Sequence, residues 1–153
     1  MTGLLFLSAG RTKEGFIREG MEKYAPLIRR YVPLEVREVK ARGGGGPGVL
    51  VDAEGDSLLS RLSAGDFVAA LDEHGELHDS VSFAGLLGGL LESGRRVVFV
   101  TGGPFGLSDK VLGRADATLS LSRLTFTHEM ARLILMEQVF RALTIIRGRA
   151  YHY

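Results

Sequence analysis

The feature that most limits what this chain can fold into is an alternation of two hydrophobic patterns along its whole length. Leu4 to Ala9, Phe67 to Leu71, Val97 to Thr101 and Ala117 to Leu121 are short, largely apolar runs. Such runs, bounded by Gly10, Asp66 and Asp72 among others, read as strands buried on both faces. Leu34 to Val39 alternates apolar and charged residues, a half-buried strand. Between these runs the apolar residues recur at helical spacing. Helices are expected over Glu14 to Arg30, about Val49 to Leu62, Ser82 to Glu92, a short one to Arg114 capped by Ser108, and Thr127 to Ile146. Phe16, Met21, Tyr24 and Ile28 mark the apolar side of the first. Strands that alternate with helices predict an α/β fold, a mostly parallel sheet with helices on both faces.

At 153 residues the chain forms one domain, 1–153, with a proper core. The absence of Cys removes disulfides, thiolate metal sites and cysteine nucleophiles together. No residue cluster suggests a metal, and the chain fits a cytoplasmic protein. No apolar run is long enough to span a bilayer. The stretch Met1 to Phe6 has no basic n-region and reads as a first strand, not a signal peptide. Gly43 to Gly46, before Pro47 and Gly48, reads as a flexible loop.

Open α/β sheets bind ligands beyond the C-terminal ends of their strands, so the loops after Leu71, Thr101 and Leu121 are the places to search. The loop Gly102-Gly103-Pro104-Phe105-Gly106 lets a ligand approach the backbone closely. It is neither a P-loop, since no Gly-Lys-Ser/Thr follows, nor Gly-x-Gly-x-x-Gly. A branched side chain at Gly103 is expected to enter the ligand space. The segment Ser120 to His128 mixes hydroxyls and apolar groups. It suits an adenine held by backbone hydrogen bonds, or else is a plain connector with Thr127 as helix cap.

The last helix carries Glu137 and Arg141, four apart and able to pair. Arg132 and Arg141 are half a turn out of phase and serve different surfaces, each readable as a solvated or paired arginine. Its apolar residues (Met130, Leu133, Ile134, Leu135, Met136, Val139, Phe140) form more than one stripe, which suggests packing against a partner. From Lys110 onward there are seven Lys or Arg against three acids, a local balance of +4 suited to RNA phosphates. Tyr151-His152-Tyr153 is expected to be mobile, with aromatics suited to stacking on a base and a histidine able to handle a proton.

Thr101-Gly102-Gly103-Pro104-Phe105-Gly106-Leu107, then Leu119-Ser120-Leu121-Ser122, Leu124-Thr125-Phe126-Thr127-His128, Glu137-Gln138-Val139-Phe140-Arg141-Ala142 and Tyr151-His152 resemble, in order and spacing, the RlmH family of the SPOUT superfamily. The likeness covers essentially the full length. It implies a C-terminal trefoil knot, a homodimer, and S-adenosylmethionine bound at Leu71, Gly103, Ser122, Arg123, Leu124, Thr125, Phe126 and Thr127. It further implies methylation of N3 of a pseudouridine in the intersubunit stem-loop of 23S rRNA, on assembled 70S ribosomes. Three positions depart from the family: Thr127 replaces the usual Pro, Phe105 a common polar residue, and Tyr153 ends the chain where Lys or Arg often follows.

N3 of a pseudouridine carries a proton that must leave before or during attack. His152 is the expected base, and Arg141 the group that meets negative charge on the uracil carbonyls. Two alternatives stand beside this reading: a SPOUT enzyme acting on tRNA or a ribose 2′-hydroxyl, and a non-catalytic RNA-binding module.

Overall fold

A computed structural model describes residues 3–40 and 45–153. Of the glycine run, Gly43 and Gly44 lie outside the described residues, as do Met1 and Thr2 at the start of the first expected strand. Five strands, β1 (Leu4–Ala9), β2 (Leu34–Val39), β3 (Phe67–Leu77), β4 (Val97–Thr101) and β5 (Ala117–Ser120), form one sheet in the order β2-β1-β4-β3-β5. Every pairing is parallel, with Leu4 opposite both Leu34 and Val97, and Phe67 opposite Val97. All strands therefore end at the same edge.

Strand side chains point alternately to the two faces. Leu4, Phe6, Ala69, Val97, Phe99 and Leu119 pack toward α1 (Gly15–Arg29), α3 (Ser80–Glu92) and α5 (His128–Ile146). Leu5, Leu7, Val68, Val98 and Val100 pack with Leu58 of α2 (Pro47–Leu59) and Val111 of α4 (Asp109–Arg114). Both faces are buried, so the central strands are apolar at consecutive positions. Each such side chain contributes about 1.5–3 kcal/mol. Ser108 caps α4 by accepting from the Val111 N–H, as its place in the sequence predicts.

Two elements differ from their sequence reading. In α1 the buried stripe is Ile17, Met21, Ala25 and Ile28, while Phe16 is 60% exposed. Spacings of four, four and three keep Ile17 in phase with Met21, and Phe16 falls one position off the stripe. β3 also runs past Asp72. Leu71 and Glu76 both lie opposite Leu119, so residues between them bulge from the ladder. Gly75 permits this, because a Cβ there would stand 2.7 Å from the Leu119 backbone. Beyond the bulge β3 pairs with β5 alone, which is why its charged residues can face water.

α5 lies between α1 and α3. Leu133 fills the space over Gly20 of α1, where a Cβ would come within 2.7 Å of its Cδ1, and Ile146 lies over Gly88 of α3. The several apolar stripes of α5 are thus met largely within the chain. Their number alone does not call for a partner.

Candidate active site

Three loops at the C-terminal edge of the sheet enclose a cavity of about 450 Å³. The β3 bulge supplies Leu71, Asp72 and Glu73. The β4–α4 loop supplies Thr101 to Leu107. The β5–α5 loop supplies Leu121, Ser122, Leu124, Thr125 and Phe126, and His128 and Ala131 of α5 close one side. Of the residues expected to hold a cofactor, Leu71, Gly103, Ser122, Leu124, Thr125 and Phe126 line it, whereas Arg123 and Thr127 do not. Thr127 instead caps α5, its hydroxyl accepting from the Met130 N–H at 3.2 Å. Asp72, Glu73 and His128, in the loops singled out but not themselves named as site residues, also line the cavity. Asp72 was read as a strand boundary, and the bulge that turns it inward has no sequence signature beyond Gly75.

The glycine loop closes on itself. The Gly106 N–H donates to the Gly103 carbonyl at 3.1 Å, and Gly106 has φ of 82°, a region favoured by glycine. A Cβ on Gly102 would stand 2.7 Å from the Gly106 carbonyl carbon and oxygen. A Cβ on Gly103 would meet Glu54 of α2, 3.1 Å from Oε2. A branched residue at 103 is therefore directed at the buried side of the loop, not at the cavity as its sequence context suggested.

That buried side holds a polar cluster. Arg132 is 2% exposed. It donates to the Ala9 carbonyl (2.6 Å), the Gly10 carbonyl (3.0 Å) and Thr12 Oγ1 (2.9 Å), and lies 3.6 Å from Glu38. It is an internal strut, neither solvated nor available to RNA. Burial lowers its pKa, with Glu38, Glu129 and Glu54 opposing. Glu129 accepts from the Lys13 and Glu14 N–H groups at 2.9–3.1 Å, tying α5 to the start of α1. Burial would raise the Glu129 carboxyl, but these amides, with the Arg132 charge, hold it below its ordinary range. Burial pushes Glu54 up, only partly offset by Arg132. His128 is pushed down by burial, then by Arg132 and Lys13, against Glu129, which favours its neutral form.

The C-terminal tail turns back on α5 through Tyr151, while Tyr153 stands fully exposed. Gly148 adopts φ of 65°, and the Arg149 N–H returns to the Thr144 carbonyl, so the chain reverses at the end of α5. Tyr151 then packs edge-on against Phe140, with centroids 4.7 Å apart. Its hydroxyl donates to Glu137 Oε1 at 3.0 Å. Arg141 donates to the same oxygen through Nε and Nη2, stacks over the Tyr151 ring at 4.8 Å, and reaches His152 Nδ1 with Nη1 at 3.0 Å. Arg141 and His152 are thus together. Along α5, however, Arg141 is thirteen residues from His128, about 20 Å at 1.5 Å per residue.

Residues 3–152 match the family described as Predicted SPOUT methyltransferase. The chain is 44% identical over 150 residues to ribosomal RNA large subunit methyltransferase H of Anaeromyxobacter, covering 97% of this chain and 98% of that one. It is 41% identical over 144 residues to the protein of the same name from Thermotoga neapolitana, covering 94% and 95%. Among solved structures, a probable methyltransferase from Bordetella pertussis shares the fold with a TM-score of 0.56 at 17% identity, covering 93% of this chain and 96% of that one. The SpoU methyltransferase AviRb from Streptomyces viridochromogenes, in complex with AdoMet, has a TM-score of 0.51 at 19% identity, covering 96% and 59%. A parallel α/β sheet, a cavity at its C-terminal edge and likeness along nearly the whole of both sequences place the chain in the SPOUT methyltransferases, within the ribosomal RNA large subunit methyltransferase H family.

Proposed function

We propose that this protein uses S-adenosylmethionine to methylate N3 of a pseudouridine in the intersubunit stem-loop of 23S rRNA, acting in the cytoplasm on assembled 70S ribosomes. The observation that carries the reading is the cavity of about 450 Å³ built from three loops, within the size range of cofactor sites. Its residues fit the cofactor. Leu71, Leu124 and Phe126 offer apolar walls, Ser122 and Thr125 offer hydroxyls, and the glycine loop offers backbone groups. Asp72 and Glu73 are carboxylates suited to the ammonium and sulfonium charges. The bound cofactor supplies an activated methyl group. In this reading the C-terminal segment threads the neighbouring loop as the trefoil knot of the family, and exposed Arg123 stands at the rim.

The reaction forms an N3–CH3 bond, breaks the CH3–S bond, and releases the N3 proton. Arg141 and His152 are the groups proposed to act on the uracil. Arg141 stands ten residues along α5 from Ala131 of the cavity wall, a rise of about 15 Å, and in this reading the tail serves the cavity of a second copy, so that the active unit is a homodimer. Positioning of the base against the methyl group supplies much of the rate. Arg123, Arg147 and Arg149, all exposed, are available to phosphates.

Methylation assays on naked 23S rRNA, isolated large subunits and whole ribosomes test this directly, with nucleoside mass spectrometry of rRNA from a deletion strain. Whole ribosomes are expected to be the good acceptor, since a small domain needs a preformed cleft to orient RNA. Efficient transfer to naked rRNA, tRNA or a ribose hydroxyl would overturn the assignment. A monomeric mass by light scattering at micromolar concentration would overturn the dimer.

A further inference from the structure

Arg141 can only donate hydrogen bonds, because a guanidinium has no acceptor. Its Nη1 lies 3.0 Å from His152 Nδ1. That nitrogen must therefore carry the lone pair, and the neutral ring must carry its proton on Nε2. Glu137 sets the arrangement. Its Oε1 receives Arg141 Nη2 at 2.6 Å, Arg141 Nε at 3.2 Å and the Tyr151 hydroxyl at 3.0 Å. Arg141 is thereby fixed in angle, with Nη1 as the free end that meets the imidazole. The ring meets Arg141 Nη1, and Arg141 is surrounded in turn by Glu137 from α5, Tyr151 from the tail and Tyr24 of α1 beside Tyr151.

We propose that Glu137 is a positioning residue which, through Arg141, holds His152 as an Nε2–H donor, so that His152 donates a hydrogen bond to a uracil carbonyl and does not take the N3 proton. This rests on the reading that the tail serves the methylation site, and it changes the role expected from the sequence. With Nδ1 capped and Nε2 protonated, the ring has no lone pair to offer. The N3 proton leaves to hydroxide, giving water. The N3 electron pair then forms the bond to the methyl carbon, and the C–S pair stays on sulfur. Nε2–H and Arg141 meet the negative charge on the carbonyls meanwhile. Arg141 is not displaced, because it already bears the positive charge that an imidazolium would have supplied.

The test uses full-length protein with ¹⁵N-labelled histidine. The chain has four histidines, and loss of one set of signals in His152→Gln assigns the ring. Two-bond ¹H–¹⁵N correlation near pH 8 is expected to show protonated Nε2 and bare Nδ1 at His152. Glu137→Gln is expected to turn this into a mixture of tautomers while cofactor affinity stays within about twofold, since Glu137 does not line the cavity. In single-turnover assays on ribosomes, His152→Ala is expected to lose about 10²-fold, as for removal of one charge-stabilising donor. His152→Gln, which keeps an N–H at the same reach, is expected to recover at least about tenfold of that loss. An Nδ1–H tautomer in the wild type, or a Gln variant as slow as Ala, overturns the donor role alone. A wild-type rate for His152→Ala overturns the tail's part in the reaction and this inference with it.

Discussion

Replacing Arg132 with Met keeps the length of its stem but removes the guanidinium from a site only 2% exposed. Three donor bonds disappear, to the Ala9 and Gly10 carbonyls and to Thr12, along with the attraction to Glu38, Glu54 and Glu129. Removing one member of a buried ion cluster costs about 3–5 kcal/mol, because the other charges are left uncompensated. In a domain of this size about 4 kcal/mol corresponds to a melting temperature lower by about 8–16 °C. Glu54 is the informative partner. Its folded pKa is raised by burial, so it favours folding on the acid side and becomes a cost as pH rises through its folded value. Glu54→Gln alone should then be neutral or stabilising near pH 7, by less than about 1 kcal/mol. In the Arg132→Met background it should recover about 1–2 kcal/mol, since it removes an unpaired buried charge. Urea unfolding of the four proteins at pH 7 gives the cycle, and a calorimetric titration with S-adenosylmethionine reads the loop above. Stability of Arg132→Met within about 1 kcal/mol of wild type, a typical point-mutant effect, would refute the strut.

Gly103→Val should weaken S-adenosylmethionine binding at least about tenfold by pushing the loop off Glu54, a steric cost of about 1–3 kcal/mol. Glu54→Ala in the same chain should restore part of the affinity, and calorimetry that finds no restoration would show that the added side chain acts on the cavity side. Asp66 is buried and would be raised by burial, but two bonds from Arg96 at 2.7 and 2.9 Å, the Ser63 N–H and the Arg114 charge hold it below its ordinary value. Its stabilising share is full above the ordinary carboxylate range and is lost as pH falls through the lower folded value, below 3.8, so Asp66→Asn should flatten the acid limb of the stability curve and cost about 2–4 kcal/mol at pH 7, read by urea unfolding. Deleting residues 151–153 should abolish methylation while cofactor affinity stays within about twofold, at a cost of about 1–2 kcal/mol from the lost Tyr151 contacts with Phe140 and Glu137; a truncated protein that still methylates ribosomes would remove the tail from the site.

The strands were legible because burial on both faces leaves apolar residues at consecutive positions, and Val97 to Val100 is the clear case. Six of the eight residues expected to hold the cofactor line the cavity, because three loops meet at one edge of a parallel sheet and the family resemblance named residues within them. What stayed hidden depends on contacts far apart in sequence. Arg132 looked like any helix arginine because its partners, Ala9, Gly10 and Thr12, are about 120 positions away. Tyr151 looked like a frayed end because nothing after Gly148 forms a packing stripe. Its partner Phe140 is reached only through the reversal at Gly148. The Cβ direction at Gly103 depends on Glu54 of α2, and no local pattern reports it.

In the proposed reaction one helix would carry both the cavity wall and the groups that meet the uracil, and this constrains how the molecule can work. The first turns of α5 hold His128 in the cavity wall, with Glu129 tied to α1 and Arg132 to the end of β1. Its last turns hold Glu137 and Arg141 against the returning tail. A packed helix does not shorten, so Ala131 in the cavity wall and Arg141 beside the tail stay about 15 Å apart along the axis of one copy. Closing that gap within one chain would mean unfolding a helix with nine buried residues, among them Leu135, Met136, Val139 and Leu143. The proposed homodimer needs no such rearrangement, because the tail of each copy would serve the cavity of the other. In that arrangement the contacts of Tyr151 and Arg141 with Glu137 would be preorganisation: the side chains would reach the partner's cavity already paired, with part of their rotamer entropy lost when the chain folds, before RNA arrives.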